Sequence, residues 1–334
     1  MRAARFPSLL VLVVVGLTAC GKEGAYGDAN SIIAVTSPEF WPEIESDVYE
    51  VLESTIQTVR DEKKFTVTYQ NPADSSWLNL KRFKQMLVIG PLSDPVVAEV
   101  LAEAKEDNFT PPQVVQVHDV WARGQQVTVL ITPENNRADA VRSQLGEIST
   151  TFDQQYRRWA YNRMFISGAD SALADSLYQA EGFSLVVPTV YELIANDSVF
   201  IFRNDNPDPA ELIRQITVTW QTPIPEGLQG EDLLEWRREV AAAHYTEPQL
   251  EDLSNIEAGP YQEGRIQAYQ IQAVWTNAPE ANWPAAGPFI LRGLVCRDQN
   301  RMYLVDAWLY APGKEKYEFM IQLETILNSF RCGG

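Results

Sequence analysis

FILRGLVC-RDQNR-MYLVDAWLY-APG-KEKYEFMIQLETILNSFR, residues 289–331, is two long β-rich runs about a polar turn, followed by one amphipathic segment. The runs 289–296 and 302–310 are dense in β-branched, aromatic and leucine side chains, which predicts a pair of long strands. Residues 314–331 place Met320, Leu323, Leu327 and Phe330 three or four positions apart, the spacing of one buried helical stripe. A hairpin covered by a single helix is the unit of an α+β fold.

Working outward, the same style repeats. A strand at 265–276 and a helix at 230–245, with Leu233, Trp236, Val240 and Ala243 inward, precede the hairpin. Strands are expected at 184–193, 198–203 and 215–221, and a helix at 169–181 that Gly182 closes. A helix at 136–163 carries the stripe Val141, Leu145, Ile148 and Phe152. Runs at 114–121 and 126–132 flank an Arg123-Gly124 turn as a hairpin. Asp94-Pro95 opens a helix reaching about residue 107, strands fall at 31–36, 65–69 and 83–89, and 38–60 reads as helix. The expected class is α+β, in two halves of antiparallel sheet covered by helices. The domains are 31–165 and 183–334, joined by a connecting segment at 166–182. Nothing in the pattern suggests the regular βαβ alternation of a doubly wound sheet.

Arg2 and Arg5 precede the apolar run Leu9 to Leu17, which is too short to span a bilayer and has the length of a signal-peptide core. The run ends Leu17-Thr18-Ala19-Cys20-Gly21, which looks like a bacterial lipobox. Residues 1–19 are therefore expected to be a lipoprotein signal peptide, with Cys20 the lipid attachment site and 20–30 a flexible tether. Gly21 stands where an Asp would resemble an inner-membrane retention signal. The expected location is the cell envelope, lipid-anchored, on the outer membrane facing the periplasm.

The full chain has 334 residues, with 27 Lys+Arg against 45 Asp+Glu and a formal charge of −18. Cleavage before Cys20 removes two Arg and no acid, leaving 25 bases against 45 acids, a formal −20. Such an excess argues against nucleic-acid partners, which need clustered cations. Two His and three Cys leave little material for soft-metal or nucleophile chemistry. His118 and Asp119 are strand neighbours pointing to opposite faces, and His244 falls in the last turn of a helix. No catalytic, cofactor-binding or metal site is assigned. Trp41, Trp121, Trp220, Trp275 and Trp308 sit in periodic segments and read as core. Trp77 and Trp283, in Pro/Ser/Asn/Asp surroundings, are the candidates for an exposed binding surface.

Cys296 and Cys332 are expected to form a disulfide. Export leads to an oxidising compartment, where the thiols left after lipidation can pair. The strand rises about 33 Å at 3.3 Å per residue and the helix returns about 27 Å at 1.5 Å per residue. Cys332 then arrives beside the turn at 297–301, where Cys296 stands.

Short segments along the chain resemble a bacterial envelope-lipoprotein family, domain of unknown function 4837. They are IIAV at 32–35 with Trp41, MLVI at 86–89, DVWA at 119–122 with QQV at 125–127, and Phe202-Arg203. AGPF at 286–289, and APGK at 311–314 with LETIL at 323–327, complete them. The resemblance implies a lipid-anchored envelope protein and supplies no activity or catalytic residue. The closing hairpin and helix, ending Leu327-Asn328-Ser329-Phe330, are similar to the end of a Mog1/PsbP-like sandwich, a likeness of fold alone.

Three functions follow. The leading one is a non-catalytic binding or assembly protein held on the membrane by its lipid, with an envelope protein or glycan as partner. An envelope-glycan hydrolase would need two carboxylates facing each other across a cleft. A small-ligand carrier would need a largely apolar pocket of several hundred Å³, expected between the halves. Metabolic labelling with a clickable fatty acid is expected to mark the wild-type chain and not Cys20→Ala; equal labelling of both would contradict the lipobox reading.

Overall fold

A computed structural model describes residues 21–206, 211–226, 230–263, 266–281 and 283–333. The expected signal peptide and Cys20 lie outside the described residues.

The N-terminal half is built on a five-stranded sheet in the order β4-β1-β5-β7-β6. Its strands are β1 (Ser31–Val35), β4 (Thr66–Gln70), β5 (Gln85–Gly90), β6 (Gln113–His118) and β7 (Gln126–Ile131). β2 (Thr55–Ile56) and β3 (Glu62–Lys63) form a separate two-residue ribbon. β1 runs parallel to β4 and β5, and β5 parallel to β7; only the β6–β7 hairpin is antiparallel. The α+β class holds, but the expectation of an antiparallel sheet in this half is corrected. The missed signal lay in MLVI and in VTVLI. Near-continuous apolar runs belong to strands buried on both faces, as parallel strands are. α1 (Trp41–Leu52) and α4 (Arg137–Met164) cover one face over Ile32, Ala34, Leu87 and Leu130. Trp77 of the four-residue α2 (Trp77–Leu80) and Val97 and Val100 of α3 (Pro95–Leu101) cover the other, over Ile33, Met86 and Val129. Asp94 caps α3 by accepting from the Val96 and Val97 amides. The helix expected at 38–60 stops at Leu52, and β2 and β3 follow it.

The C-terminal half is a seven-stranded sheet, β12-β13-β14-β15-β11-β10-β9, antiparallel throughout. The strands are β9 (Glu192–Asn196), β10 (Val199–Asn204), β11 (Ile213–Gln221), β12 (Gln249–Glu263), β13 (Ile266–Asn277), β14 (Ala286–Cys296) and β15 (Arg301–Tyr310). Alternation along β15 sends Tyr303, Val305, Ala307 and Leu309 to one face. There they meet α5 (Ser171–Ala180) through Leu177 and α7 (Tyr317–Leu327) through Leu323, Ile326 and Leu327. Met302, Leu304 and Trp308 face the other way, under α6 (Gly230–His244). α6 buries Leu233, Leu234, Arg237, Val240 and Ala241, whereas Ala243, expected inward, is exposed.

α7 is buried on two sides. Tyr317 and Ile321 belong to the core of the N-terminal half, while Leu323 and Ile326 belong to that of the C-terminal half. Arg157 and Arg163 of α4 pair with Glu324 and Glu318 of α7 at 2.6 and 2.9 Å. Tyr317 also donates its hydroxyl to Asp153.

Cys296 and Cys332 are bonded, with Cα atoms 5.8 Å apart. The route differs in one respect from the sequence expectation. α7 ends at Leu327, and the chain then turns so that β16 (Arg331–Cys332) pairs with β8 (Phe183–Ser184). Gln299, in the turn after Cys296, donates from Nε2 to the carbonyls of Gly182 and Gly333 at 2.6 and 2.8 Å. The bond closes a loop with a sequence separation of 36. Replacing both cysteines with Ser is expected to lower stability by roughly 3–4 kcal/mol in the chain-entropy account. Urea unfolding measures this, and coincident midpoints for the two proteins would contradict it.

Candidate functional site

The α6 face of the C-terminal sheet is covered only in part. α6 seals it from Leu233 to Ala241, and the chain then leaves through Tyr245 towards β12. Past that exit, Trp308 and Tyr310 of β15, Trp275 of β13 and Ile213 of β11 line a pocket of about 400 Å³. Tyr245, Thr246, Glu247 and Gln249 line it from the α6–β12 side. Asn277 and Trp283 line it from the β13–β14 connection, and Arg203 from β10. Five aromatic side chains surround the space. Ring centroids lie 5.3 Å apart for Trp275–Trp308, 5.9 Å for Tyr245–Trp308 and 5.9 Å for Trp283–Tyr310.

A buried polar network fixes the α6 side of this pocket. Arg237 and Asp306 side chains are both 0% exposed and meet at 3.0 Å. Arg237 also pairs with Glu251 at 3.1 Å, donates to Gln249 Oε1 at 2.6 Å, and lies 4.1 Å from the centre of the Phe289 ring. Tyr245 donates its hydroxyl to Asp306 Oδ2 at 2.7 Å and lies 2.9 Å from Thr217 Oγ1. A guanidinium this deep is tolerable only because its donors find acceptors. Burial pushes the Asp306 carboxyl up, with the Arg237 guanidinium working against it. Burial likewise raises the Tyr245 hydroxyl well above its ordinary range, and the Asp306 charge adds to the effect.

Trp275 is held by a different device. Its indole Nε1 donates to the Leu309 carbonyl at 3.1 Å, across the intervening β14. Gly287 of β14 stands between them; a Cβ there would sit 1.7 Å from that carbonyl oxygen and 2.9 Å from the indole nitrogen. Only glycine leaves room for this approach. Trp308 is 5% exposed, and its Nε1 has no acceptor among the described residues.

The residues singled out in the sequence fall apart in space. Trp283 is 44% exposed and stands on the pocket's lining, its carbonyl accepting from Asn277 Nδ2 at 2.9 Å. Trp77 is corrected: it is 9% exposed and packs edge-to-face on Trp121 with centroids 5.1 Å apart. The polar residues around it fold into the short α2, which tucks the indole under the sheet. Cys296 and Cys332 sit in the disulfide, away from the pocket lining. His118 is exposed at the end of β6, and His244 closes α6. The sequence reading missed Tyr245, Tyr310 and Arg203. One signal was visible: Asp306 is an acid inside an otherwise apolar strand and marks a partnered polar site beside it.

Among the described residues, no group of three or more His, Cys, Asp or Glu is arranged to hold a metal. Nor, among them, is any helix long and apolar enough to cross a membrane.

Residues 170–329 match the family model described as Domain of unknown function (DUF4837). Residues 25–165 match a second, Domain of unknown function (DUF8532). The segments quoted at 32–35, 86–89 and 119–127 thus fall within the second model, and the resemblance to the first rests on the C-terminal segments. The comparison with curated proteins found no match. Among solved structures, the chain is similar to PsbP of the cyanobacterium Synechocystis at 15% identity and a TM-score of 0.32. That match covers 46% of this chain and 87% of PsbP. It is also similar to the Ran-binding protein Mog1p of Saccharomyces cerevisiae at 11% identity and a TM-score of 0.31, covering 45% of this chain and 90% of Mog1p. PsbP and Mog1 are the folds that the C-terminal hairpin and helix resembled in sequence, and at these scores they carry no further argument.

The raised tyrosines set a pH dependence. Burial lifts Tyr191 to about 12 and Tyr245 well above its ordinary value. Above about pH 10 the unfolded chain releases these protons and the folded chain keeps them, so stability falls as pH rises, by about 1.4 kcal/mol per pH unit per group. Urea midpoints between pH 8 and 11 should therefore drop, and Tyr245→Phe should be less stable at pH 8 yet lose less on going to pH 11. Parallel curves for the two proteins would contradict the assignment.

Proposed function

We propose that this protein is a lipid-anchored binding protein of the cell envelope, carried on the outer membrane by acyl chains on Cys20 and facing the periplasm. It holds a small, mainly apolar ligand without transforming it. The observation that carries the reading is the pocket of about 400 Å³ walled by Trp275, Trp283, Trp308, Tyr245 and Tyr310. Ligand sites have this size and this balance of aromatic surface with a few polar groups. The lipobox at Leu17 to Cys20 supports the anchoring, and the acidic balance of 45 Asp+Glu against 27 Lys+Arg supports the exclusion of nucleic acid.

Two features favour holding over hydrolysis. Among the described residues the pocket lining contains one carboxylate, Glu247, so they offer no pair facing across it. The nearby buried acid, Asp306, is engaged by Arg237 and Tyr245. The site also differs from the carrier expectation in position. It is cut into the C-terminal sheet and lined by residues of that half alone.

Burying about 150 Å² of apolar ligand surface gains about 4 kcal/mol before the entropic costs of association. Weak binding, about millimolar, is thus expected for an apolar probe. N-phenyl-1-naphthylamine, an uncharged fluorophore, should bind the wild-type protein with a blue shift and quench its tryptophans. Thr246→Trp, at an exposed position on the lining, should block it. Probe binding equal in wild type and Thr246→Trp would place the probe elsewhere and sink the reading.

A further inference from the structure

The first described residues are fastened along the N-terminal half, in place of the flexible tether that the sequence suggests. The Arg123 amide donates to the Glu23 carbonyl at 2.8 Å, and the Ala25 amide donates to the Arg123 carbonyl at 2.9 Å. The Tyr26 amide donates to the Arg82 carbonyl at 3.2 Å, and the Lys84 amide donates to the Tyr26 carbonyl at 2.9 Å. Side chains close over these bonds. Tyr26 packs edge-on against Phe83 with centroids 4.9 Å apart and donates its hydroxyl to the Asn79 carbonyl at 2.7 Å. Gly27, at φ +89°, lies so near Phe83 that a Cβ would stand 2.6 Å from its ring. Lys22 Nζ donates to the Asp119 carbonyl at 2.7 Å and pairs with Glu103 at 3.3 Å.

These contacts gather at one end of the N-terminal sheet. Ile32 of β1 is level with Gln85 of β5, Gln85 with Gln126 of β7, and Gln126 with His118 of β6. β1, β5 and β7 therefore start, and β6 ends, in one row. The segments that hold residues 22–26, Arg82 to Lys84 and Asp119 to Arg123, lie directly beside that row. From it the three parallel strands run away to Val35, Gly90 and Ile131. Lys22 is two residues from Cys20, so their Cα atoms are within about 8 Å of each other at 3.8 Å per residue. Acyl chains on Cys20 could not enter a bilayer without bringing this end of the half to its surface.

We infer that this end of the N-terminal half, at Arg82 to Lys84 and Asp119 to Gly124, rests against the lipid surface. The protein then stands on the membrane in one orientation, with the parallel strands of the N-terminal sheet running away from it. The inference rests on the anchoring proposed above and adds the face that meets the bilayer. Charges beside the anchor pair with one another, Lys22 with Glu103 and Arg82 with Glu23, so the contact needs no attraction to charged head groups. A free Gly/Ser-like tether of a dozen residues would give a reach of about 20 Å and leave the orientation open. A fastened one allows neither.

The acylated protein in phosphatidylcholine vesicles, some of whose lipids carry a nitroxide quencher on the head group, tests this. Cys296 and Cys332 are bonded to each other and Cys20 carries the lipid, so an introduced cysteine alone takes a thiol-reactive fluorophore. Arg123→Cys is exposed at the anchored end. Asn135→Cys is exposed beyond the far end of β7, a strand of six residues or about 20 Å. Fluorophore on Arg123→Cys is expected to be quenched severalfold more strongly than on Asn135→Cys. Inserting about twelve Gly/Ser residues between Gly21 and Lys22 keeps both the lipid and the fastened segment, and should bring quenching on Arg123→Cys down to the level of Asn135→Cys. In protein that floats with the vesicles, equal quenching at the two positions, or quenching on Arg123→Cys that survives the insertion unchanged, would overturn the orientation while leaving the anchor. Protein that does not float with the vesicles would overturn the anchoring itself, and this inference with it.

Discussion

α7 is built into both cores, which α4 also joins at its last residue, Met164. Leu323, Ile326 and Leu327 fill the layer over the C-terminal sheet, while Tyr317 and Ile321 complete the apolar layer between the N-terminal sheet and α4. An eleven-residue helix with apolar contacts on two sides cannot shift against one half without opening a void against the other. The ion pairs to Arg157 and Arg163 are partly exposed and add little energy, but they fix its rotation. The disulfide and the β8–β16 pairing then pin its far end to the turn between β14 and β15. The position of the segment before α7, from Ala311 to Lys316, follows from that double packing, and this segment forms part of the wall of a cleft between the halves.

The aromatic pocket exists for a second reason, which lies in α6. An Arg in a helix's buried stripe must meet an acid, and Asp306 sits in the middle of β15, where the helix crosses it. This pair, with Tyr245, Gln249 and Glu251 completing it, sets where the helix lies and where the chain leaves it. Replacing such a cluster with hydrocarbon often costs nothing in stability, so its value lies in registration. Because the cover stops at Tyr245, the Trp308–Tyr310 end of the sheet is left to line a cavity instead of a core.

Most of the C-terminal fold was legible because its strands and helices, β12 apart, announce themselves locally. The runs at 289–296 and 302–310 alternate and the closing segment is amphipathic, so hairpin and covering helix followed from spacing, and the cysteine pairing from spacing together with the expectation of an oxidising compartment. The N-terminal half was less legible for a physical reason. Strand direction is a property of pairing, not of the strand. The crossover from β4 to β5 passes through a helix of four residues, which carries no periodic signal. β12 escaped too: a long edge strand with Leu250, Leu253 and Ile256 exposed has no buried face to impose alternation. Trp77 and Trp283 share similar neighbours in sequence and opposite fates in space, because local polarity reports the loop and not where its indole is packed.

Trp275 and Trp308 were read as core, and by exposure they are core, at 3% and 5%. Their second role, as pocket lining, comes from what stops short above them, and no property of the strand encodes it. Gly287 sharpens the point. In sequence it is one glycine in an apolar strand, a position that ordinarily weakens a sheet. In space it is the gap that lets the Trp275 indole reach the Leu309 carbonyl, which satisfies the buried indole N–H and leaves the ring on the pocket lining. A larger residue there would push the indole away from its acceptor and leave a buried donor unpaired, a cost of about 1–3 kcal/mol. The strand thus gives up β-propensity at one position so that the pocket side of the sheet can keep a fixed aromatic surface, and the aromatic site is built from that exchange.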